Sequence, residues 1–318
     1  MNAADPAQGS CVRPTCGRVC PPPLLKALSR EKLKALAGRA ALFASFVKIE
    51  HSVFALPFAY VGLFLAKRGW PGFAPFALLT LAMVAVRSYA MGVNRLMDEP
   101  FDRLNPRTQG RELVRGAITR AQGWGFVSVC AAVFVLACWG LNPLCLWLSP
   151  VVLAWAGFYS LTKRFTWLCH VVLGSVLGLA PVAGWLAVTP QFALAPVLFG
   201  LGVTCWVAGF DVLYASQDEA FDRRHALHSM PVRFGVGSAL SLAALLHGQA
   251  VALFALAGWS AALGWGYFGV LALVAALLWI EHRLISENDL TRLNMAFFTL
   301  NGVVAATLFL GVLYDLFA

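Results

Sequence analysis

Long apolar runs separated by short polar segments make up most of this chain. Each run has about the 20 residues that a helix needs to cross the hydrocarbon core of a bilayer. The runs are continuous and show no alternation of apolar and polar positions, which excludes the strands of a membrane β-barrel. We place nine runs at about residues 43–66, 73–97, 121–141, 143–161, 167–188, 192–215, 238–259, 263–282 and 293–316. The pattern predicts an all-α integral membrane protein.

The composition supports this prediction. Hydrophobic residues make up 60% of the 318 positions and charged residues only 12%, whereas soluble domains are about 25% charged. Basic residues are concentrated on one side of the predicted helices, and the opposite side carries only Lys67 and Arg68. By the positive-inside rule, the N-terminus is cytoplasmic in a bacterial-type inner membrane, with membrane lipid around the helices. The net charge of +9 then reflects orientation, and we expect no nucleic-acid binding.

The N-terminal segment differs from the rest of the chain. Residues 1–25 contain Pro, Gly and three cysteines (Cys11, Cys16 and Cys20) whose spacing fits no familiar zinc pattern. Residues 26–39 alternate basic and apolar positions, which is typical of an amphipathic helix on a membrane surface. We therefore expect residues 1–41 to form a disordered cytoplasmic tail plus this surface helix, and residues 42–318 to form the transmembrane domain.

A short acidic block occurs twice. Asp98-Glu99-Pro100-Phe101-Asp102-Arg103 returns as Asp218-Glu219-Ala220-Phe221-Asp222-Arg223, each time directly after an apolar run. The two runs are parallel, so a pseudo-two-fold axis along the membrane normal would bring the blocks face to face. We expect a ring of nine helices around a central cavity that opens toward the cytoplasmic side. Pro100 should kink or end its helix, whereas Ala220 allows its helix to continue.

The acidic residues of these blocks suit a metal site. On a helix, Asp98 and Asp102 lie one turn apart on one face, and so do Asp218 and Asp222. Facing pairs of carboxylates offer the hard oxygen ligands that Mg²⁺ prefers and usually shares with substrate phosphates. The sequence therefore predicts a Mg²⁺ and phosphate site where the blocks meet.

Polar residues also lie within the apolar runs upstream of both blocks. Arg87 and Asn94 share a helix stripe with Asp98, and Asp211 shares one with Asp218. A charge inside the membrane costs at least ~2.5–3.5 kcal/mol, so such residues usually face a cavity or a partner. Arg87 and Asp211 therefore either line a substrate cavity or pair with each other and lock two helices.

Two further segments supply candidate binding groups. Lys163, in Tyr159-Ser160-Leu161-Thr162-Lys163-Arg164, offers an ammonium group to a phosphate. The alternative is that Lys163 and Arg164 only mark the cytoplasmic side. In the first predicted helix, Glu50 requires a function or a partner, and His51 is either a core histidine or a substrate contact.

These residues together resemble a known family. Asn94-x-x-x-Asp98-x-x-x-Asp102 with Asn105-Pro106-Arg107-Thr108, and Asp211-x-x-Tyr214-x-x-Gln217-Asp218-x-x-x-Asp222, are similar to the two motifs of the UbiA superfamily of intramembrane aromatic prenyltransferases. The segment from Tyr159 to Arg164 resembles its Tyr…Lys-Arg segment. The resemblance covers about residues 43–316. It implies a nine-helix bundle that transfers a polyprenyl group from a polyprenyl diphosphate to an aromatic acid acceptor.

The resemblance also implies residue roles. The main catalytic residues would be Asp98, Asp102, Asp218, Asp222 and Lys163. The Mg²⁺ ligands would be Asn94, Asp98, Asp102, Asp211, Asp218 and Asp222. Lys163, Tyr159 and Lys48 would contact the diphosphate, and Arg87, with Asn94 nearby, would bind the aromatic carboxylate. The substrate site would further include Asp211, Tyr214, Arg107, Glu50 and His51.

The acceptor stays open between two acids. The first helix of the family usually has Arg-x-Asp-Lys-Pro, whereas this chain has Lys48-Ile49-Glu50-His51-Ser52. The segment from Lys48 to Phe58 resembles a branch that often prenylates a dihydroxynaphthoate for menaquinone, and members of that branch are also assigned to 4-hydroxybenzoate. The alternatives are therefore 4-hydroxybenzoate, as in ubiquinone biosynthesis, and 1,4-dihydroxy-6-naphthoate of the futalosine route to menaquinone.

A membrane cation transporter is the alternative from a different class. Transporters usually bind their ions near the middle of the membrane. In this chain the acidic residues lie at one rim, beside Lys163 and several arginines. This basic surrounding repels cations and attracts phosphate, which favours the prenyltransferase.

Overall fold

The structure is a computed structural model that describes residues 23–48, 52–285 and 300–318. Within these ranges all regular secondary structure is helical and no strand occurs, so the all-α prediction is confirmed. A short 3-10 helix, Ser216–Asp218, links α7 to α8. The α-helices are α1 (Pro23–Phe46), α2 (Ser52–Lys67), α3 (Phe73–Asp102), α4 (Arg120–Leu141), α5 (Pro143–Thr162), α6 (Cys169–Leu186), α7 (Leu194–Ala215), α8 (Glu219–Arg224), α9 (Met230–Phe234), α10 (Val236–Ser260), α11 (Trp265–Leu284) and α12 (Asn301–Phe317).

Seven stretches of the described chain are long and apolar enough to cross a membrane. They are α3, α4, α5, α6, α7 continued through α8, α10 and α11. Two further apolar helices are shorter, namely Ala55–Lys67 within α2 and Asn301–Phe317. The prediction of a multi-pass membrane protein is therefore confirmed. The predicted count of nine spans is not confirmed, because in the residues that the structure describes only seven helices are long enough to cross a membrane.

The first predicted span, residues 43–66, is wrong at its start. Helix α1 ends at Phe46, and Lys48 has a positive φ of 50°. A non-glycine residue in the left-handed region interrupts a right-handed helix. The apolar helix of this region therefore begins only at Ser52. At the other end of the chain, the start of the last predicted span falls outside the described residues.

The chain divides into two compact units after Phe43. Most of α1 belongs to the first unit, and it includes the segment for which the sequence predicts an amphipathic helix. The location of this helix on a membrane surface stays a prediction, as does a domain boundary at residue 41. Residues 1–22, with the three cysteines of the predicted tail, lie outside the described residues.

In the second unit, α7 is held between α6 and α10. Glycines let α6 and α7 approach closely, because a Cβ atom added to Gly178 would lie 2.5 Å from the backbone oxygen of Gly200. Close contact of this kind is common between membrane helices, whose association depends on van der Waals packing. Trp206 of α7 is fully buried, and its ring centroid lies 5.1 Å from that of Phe58 in α2. This packing fixes the helix that carries Asp211 and leads to Asp218.

The two acidic blocks lie differently on their helices. Helix α3 continues through Pro100 to Asp102, because a proline in the last turn removes only one backbone hydrogen bond. In the second block α7 ends at Ala215 and a 3-10 turn precedes α8, and Ala220 lies inside α8, which continues through it as predicted. There the Ser216 hydroxyl donates to the Val212 carbonyl over 3.0 Å, a contact that often bends helices.

Candidate active site

The four aspartates of the acidic blocks line one small hollow of about 90 Å³. Asp98 and Asp102 come from the last turns of α3. Asp218 ends the 3-10 helix and Asp222 lies in α8. The structure thus brings together two acid pairs that are far apart in the sequence.

In the first block, an amide and a guanidinium hold the two aspartates. Asn94 Nδ2 donates to Asp98 Oδ2 over 3.0 Å, one helical turn away. Arg111, from the loop that follows α3, donates through one terminal nitrogen to Asp102 Oδ2 over 2.5 Å. Asp102 is buried, so this ion pair lies largely out of solvent.

In the second block, cations from two other segments hold the aspartates. Arg107 donates to both oxygens of Asp218, over 3.1 Å from Nε and 2.5 Å from a terminal nitrogen. Its other terminal nitrogen donates to the Tyr214 hydroxyl over 3.1 Å. Lys163 Nζ lies 2.9 Å from Asp222 Oδ2. The loop after α3 and the end of α5 therefore both contact the second block.

The aspartates raise the pKa of the cations that they contact. Burial would by itself lower the pKa of Arg107, but its hydrogen bond with Asp218 and the charge of that carboxylate raise it above the usual value. Burial likewise would lower the pKa of Lys163, and the charge of Asp222 raises it. Both side chains are therefore positively charged at neutral pH and can neutralise a phosphate.

The hollow has the chemistry of a site for a hard metal ion. Two buried oxygens that line it, Asp222 Oδ1 and Ser160 Oγ, have no hydrogen-bond partner among the described residues. Four carboxylates and such oxygens are ligands that Mg²⁺ accepts, together with phosphate. In the described part of the chain, however, no three His, Cys, Asp or Glu side chains are close enough to hold an ion as they stand. The cations described above hold these carboxylates instead.

A much larger cavity of about 1150 Å³ adjoins the hollow. Asp98, Arg107, Lys163 and Asp218 line both spaces. Other polar residues that the sequence predicts for the site also line the cavity, namely Lys48, Arg87, Asn94, Tyr159, Asp211 and Tyr214. The remaining wall is mainly aliphatic and aromatic, with residues such as Leu79, Phe134, Leu148, Leu177 and Phe210. The cavity thus joins the polar residues of the hollow to a largely apolar wall.

Asp211 has a partner that the sequence analysis missed. His170, buried in the first turn of α6, places Nδ1 2.7 Å from Asp211 Oδ2. The alternative in which Asp211 pairs with Arg87 to lock two helices is therefore wrong, because the partner of Asp211 is His170. The only signal for His170 in the sequence is a histidine inside the apolar run 167–188.

A second missed group lies at another part of the cavity wall. Arg95 is 5% exposed, and two of its nitrogens have no hydrogen-bond partner among the described residues. Glu112 accepts a hydrogen bond from the Ser45 hydroxyl over 2.6 Å. Burial would raise the pKa of Glu112, but this hydrogen bond and the charges of Arg95 and Lys48 hold it below its usual value.

Three remaining predicted residues have different outcomes. Arg164 donates to the Met97 backbone oxygen over 2.7 Å, so it links the end of α5 to α3 and is more than a marker of orientation. Glu50 and His51 lie outside the described residues, and their predicted roles stay predictions.

Comparison with known proteins places this geometry in a family. The model of the UbiA prenyltransferase family matches residues 55–315. Proteins named 4-hydroxybenzoate octaprenyltransferase from Salmonella paratyphi B and Salmonella newport are each 31% identical over 250 residues, which is 79% of this chain and 86% of the relative.

Solved structures are similar as well. The apo structure of a UbiA homolog from Aeropyrum pernix K1 has a TM-score of 0.76 and 36% sequence identity, and the match covers 84% of this chain and 98% of that one. A UbiA homolog from Archaeoglobus fulgidus, bound to GPP and Mg²⁺, shares the fold with a TM-score of 0.69 at 19% identity, over 87% of this chain and 100% of that one.

Proposed function

Because the chain belongs to the UbiA prenyltransferase family, we propose that this prenyltransferase uses Mg²⁺ to transfer a polyprenyl group from a polyprenyl diphosphate to an aromatic acid of the 4-hydroxybenzoate type, in quinone biosynthesis. One observation carries the proposal. Four aspartates and the cations that neutralise them line a hollow that adjoins a large apolar cavity with Arg87 in its wall.

The hollow is the diphosphate end of the site. Asp98, Asp102, Asp218 and Asp222, with Asn94, would hold Mg²⁺, which supplies Lewis-acid neutralisation of the diphosphate when it is bound. Arg107, Arg111 and Lys163 exchange their carboxylate partners for phosphate oxygens. Arginine suits this task because its planar guanidinium binds phosphate through two hydrogen bonds. Tyr159 and Lys48, both in the cavity wall, provide further contacts to the diphosphate.

The cavity is the acceptor and prenyl end of the site. Arg87 pairs with the carboxylate of the aromatic acid, which directs its ring toward the hollow. The bond between the allylic carbon and the diphosphate oxygen breaks, a ring carbon beside the hydroxyl forms the new carbon–carbon bond, and this carbon then loses its proton. Aromatic faces stabilise a desolvated allylic cation by ~2 kcal/mol or more. The apolar wall keeps out water, which would otherwise capture the cation.

A second acceptor, 1,4-dihydroxy-6-naphthoate, is the runner-up. It is favoured by the segment from Lys48 to Phe58, which resembles a branch of the family that often prenylates a dihydroxynaphthoate. Both acids carry a carboxylate and a ring hydroxyl, so the roles of the site residues are the same for either. The two acceptors place this enzyme in ubiquinone or menaquinone biosynthesis, respectively.

The orientation in the membrane is part of the proposal. With α2 and α12 counted, nine apolar helices form a ring, supported by the packing of α12 against both α2 and α11. The basic loops put the hollow and the N-terminus on the cytoplasmic side of a bacterial inner membrane. In this orientation the C-terminus lies on the side opposite the cytoplasm. A reporter enzyme that folds only outside the cytoplasm should therefore be active when fused after Ala318. An inactive fusion, with activity instead from a reporter that works only in the cytoplasm, would contradict the orientation.

An activity assay tests the function. We expect the purified protein with Mg²⁺ and a polyprenyl diphosphate to prenylate 4-hydroxybenzoate or 1,4-dihydroxy-6-naphthoate. EDTA, Asp98→Ala and Asp218→Ala should each abolish the product. Glu219→Ala is a matched control, because Glu219 belongs to the same block but does not line the hollow, and its ion pair in the described part of the chain is with Arg223. A wild-type protein that is inert toward both acids, or full activity in EDTA, would contradict the proposal.

A further inference from the structure

We propose that His170 is a positioning residue that fixes Asp211 as the group recognising the ring hydroxyl of the aromatic acceptor. The inference rests on the proposed function, since it concerns the acceptor end of the same cavity. It separates Asp211 from the metal ligands and gives His170 a role in acceptor selection.

The hydrogen bonds of His170 fix its tautomer. Its Nε2 accepts the backbone N–H of Met230 over 3.2 Å, so this nitrogen carries no proton. The proton of the neutral ring is therefore on Nδ1, which donates to Asp211 Oδ2 over 2.7 Å. A ring with both nitrogens satisfied and 2% exposure has one orientation available. His170 thus holds one oxygen of Asp211 in a defined place.

The segment that supplies the Met230 N–H is itself anchored at the site. The backbone N–H of His228 donates to the backbone oxygen of Lys163 over 2.7 Å. The Cys169 thiol donates to the backbone oxygen of His228 over 3.4 Å. His170 therefore connects Asp211 to residues 228–230, a segment that is fixed by hydrogen bonds to the end of α5 and the start of α6. A side chain placed by three segments is suited to hold another in a precise position.

Asp211 belongs to the acceptor end of the site. It lines the large cavity but not the hollow, whereas Asp218 and Asp222 line the hollow. Along a helix, seven residues correspond to about 10 Å, so Asp211 lies well away from Asp218. Arg87, the proposed partner of the acceptor carboxylate, lines the same large cavity as Asp211 and is likewise absent from the lining of the hollow.

The remaining oxygen of Asp211 is available to a ligand. The side chain of Asp211 is 26% exposed, and among the described residues no donor lies within hydrogen-bond distance of Oδ1. A carboxylate accepts hydrogen bonds and repels anions, so its partner has to be an O–H or N–H group. Arg87 and Asp211 thus complement a ligand with a carboxylate and a ring hydroxyl, as both proposed acceptors have.

The test compares two acids that differ only in the hydroxyl. Dissociation constants of 4-hydroxybenzoate and benzoate are measured on the purified protein, and KM for the polyprenyl diphosphate is measured in the activity assay. A site built to bind a hydroxyl discriminates strongly against the analogue without it. We expect wild-type protein to prefer 4-hydroxybenzoate at least ~10-fold, and His170→Leu to remove most of this preference. KM for the diphosphate should change less than ~2-fold, because the diphosphate does not contact His170.

A second variant separates positioning from folding. In His170→Gln, the side-chain amide can donate to Asp211 and its oxygen can accept the Met230 N–H, so the preference should return. Asp211→Asn should lose the preference as His170→Leu does. Equal weakening of both acids in His170→Leu, or no rescue by His170→Gln, would overturn the inference while leaving the proposed function intact. Wild-type protein that prenylates neither acceptor would overturn the proposed function and the inference with it.

Discussion

The two acidic blocks have almost the same sequence and different structures. The first continues a 30-residue helix to its end, with Asp98 and Asp102 one turn apart. The second is divided between a 3-10 turn and a short helix. Asp98 accepts a hydrogen bond from a neutral amide of its own helix, whereas Asp218 is held on both oxygens by Arg107.

The difference shows that a repeated motif fixes which ligands are present but not how they are held. The cations on Asp102, Asp218 and Asp222 come from outside the blocks, namely from the loop after α3 and the end of α5. Each block therefore depends on segments that have no counterpart in the other. Whether the two copies contribute equally to the reaction is a question that single substitutions can answer.

The largest effect is expected when a buried aspartate of either block loses its charge. Asp102→Asn and Asp222→Asn should each lower kcat/KM about 10³-fold, because each removes an oxygen anion from the proposed metal site. The measurement is prenylation of the acceptor at saturating Mg²⁺. If one of the two variants kept near wild-type activity, the blocks would not be equivalent partners in one site.

A smaller effect is expected at Lys163, the cation that pairs with Asp222 of the second block. Lys163→Ala should raise KM for the polyprenyl diphosphate about 10- to 100-fold, because a hydrogen bond to a charged group contributes about 1.5–3 kcal/mol. Arg223→Ala is the matched control, since Arg223 belongs to the second block, pairs with Glu219 and does not line the hollow. Unchanged kinetics in Lys163→Ala would reduce this lysine to a marker of orientation.

The glutamates of the blocks should differ in their effects on stability. Glu99 is 5% exposed and pairs with Arg103 and with Arg120 at the start of α4. Among the residues that the structure describes, Glu219 forms one ion pair, with Arg223 one turn away. We expect Glu99→Ala to lower the free energy of unfolding by about 1–2 kcal/mol, and Glu219→Ala by no more than ~0.5 kcal/mol. Thermal unfolding in detergent measures both, and equal losses would show that the link from α3 to α4 adds nothing.

The smallest effect is expected at the position where one block has proline, Pro100, and the other has alanine, Ala220. Pro100→Ala restores a backbone donor in the last turn of α3, and Ala220→Pro places proline in the first turn of α8, where it is tolerated. Each should change stability by less than ~1 kcal/mol and leave the product unchanged. A large loss of stability in Ala220→Pro would mean that α8 depends on having alanine rather than proline at this position.

Much of the fold and part of the site could be predicted from particular residues. The long apolar runs predict membrane helices because a bilayer leaves a helix few alternatives for its backbone hydrogen bonds. Asp98, Asp102, Asp218 and Asp222 stand out because charges are rare in such runs. The helix does not end at Pro100 but continues to Asp102, because a proline in the last turn removes only one backbone hydrogen bond. His170 is missed because its partners, Asp211 and Met230, are distant in the sequence.

The amino-acid sequence alone is enough to predict the class of protein, the family and the kinds of side chain at the acidic rim. These follow from composition and short-range spacing, which need no knowledge of the packing. The packing of the folded chain pairs Arg107 with Asp218, Lys163 with Asp222 and His170 with Asp211, and the sequence does not predict these pairs. Such pairs depend on where separate helices and loops meet, and the close packing of α6, α7 and α10 sets these meeting points.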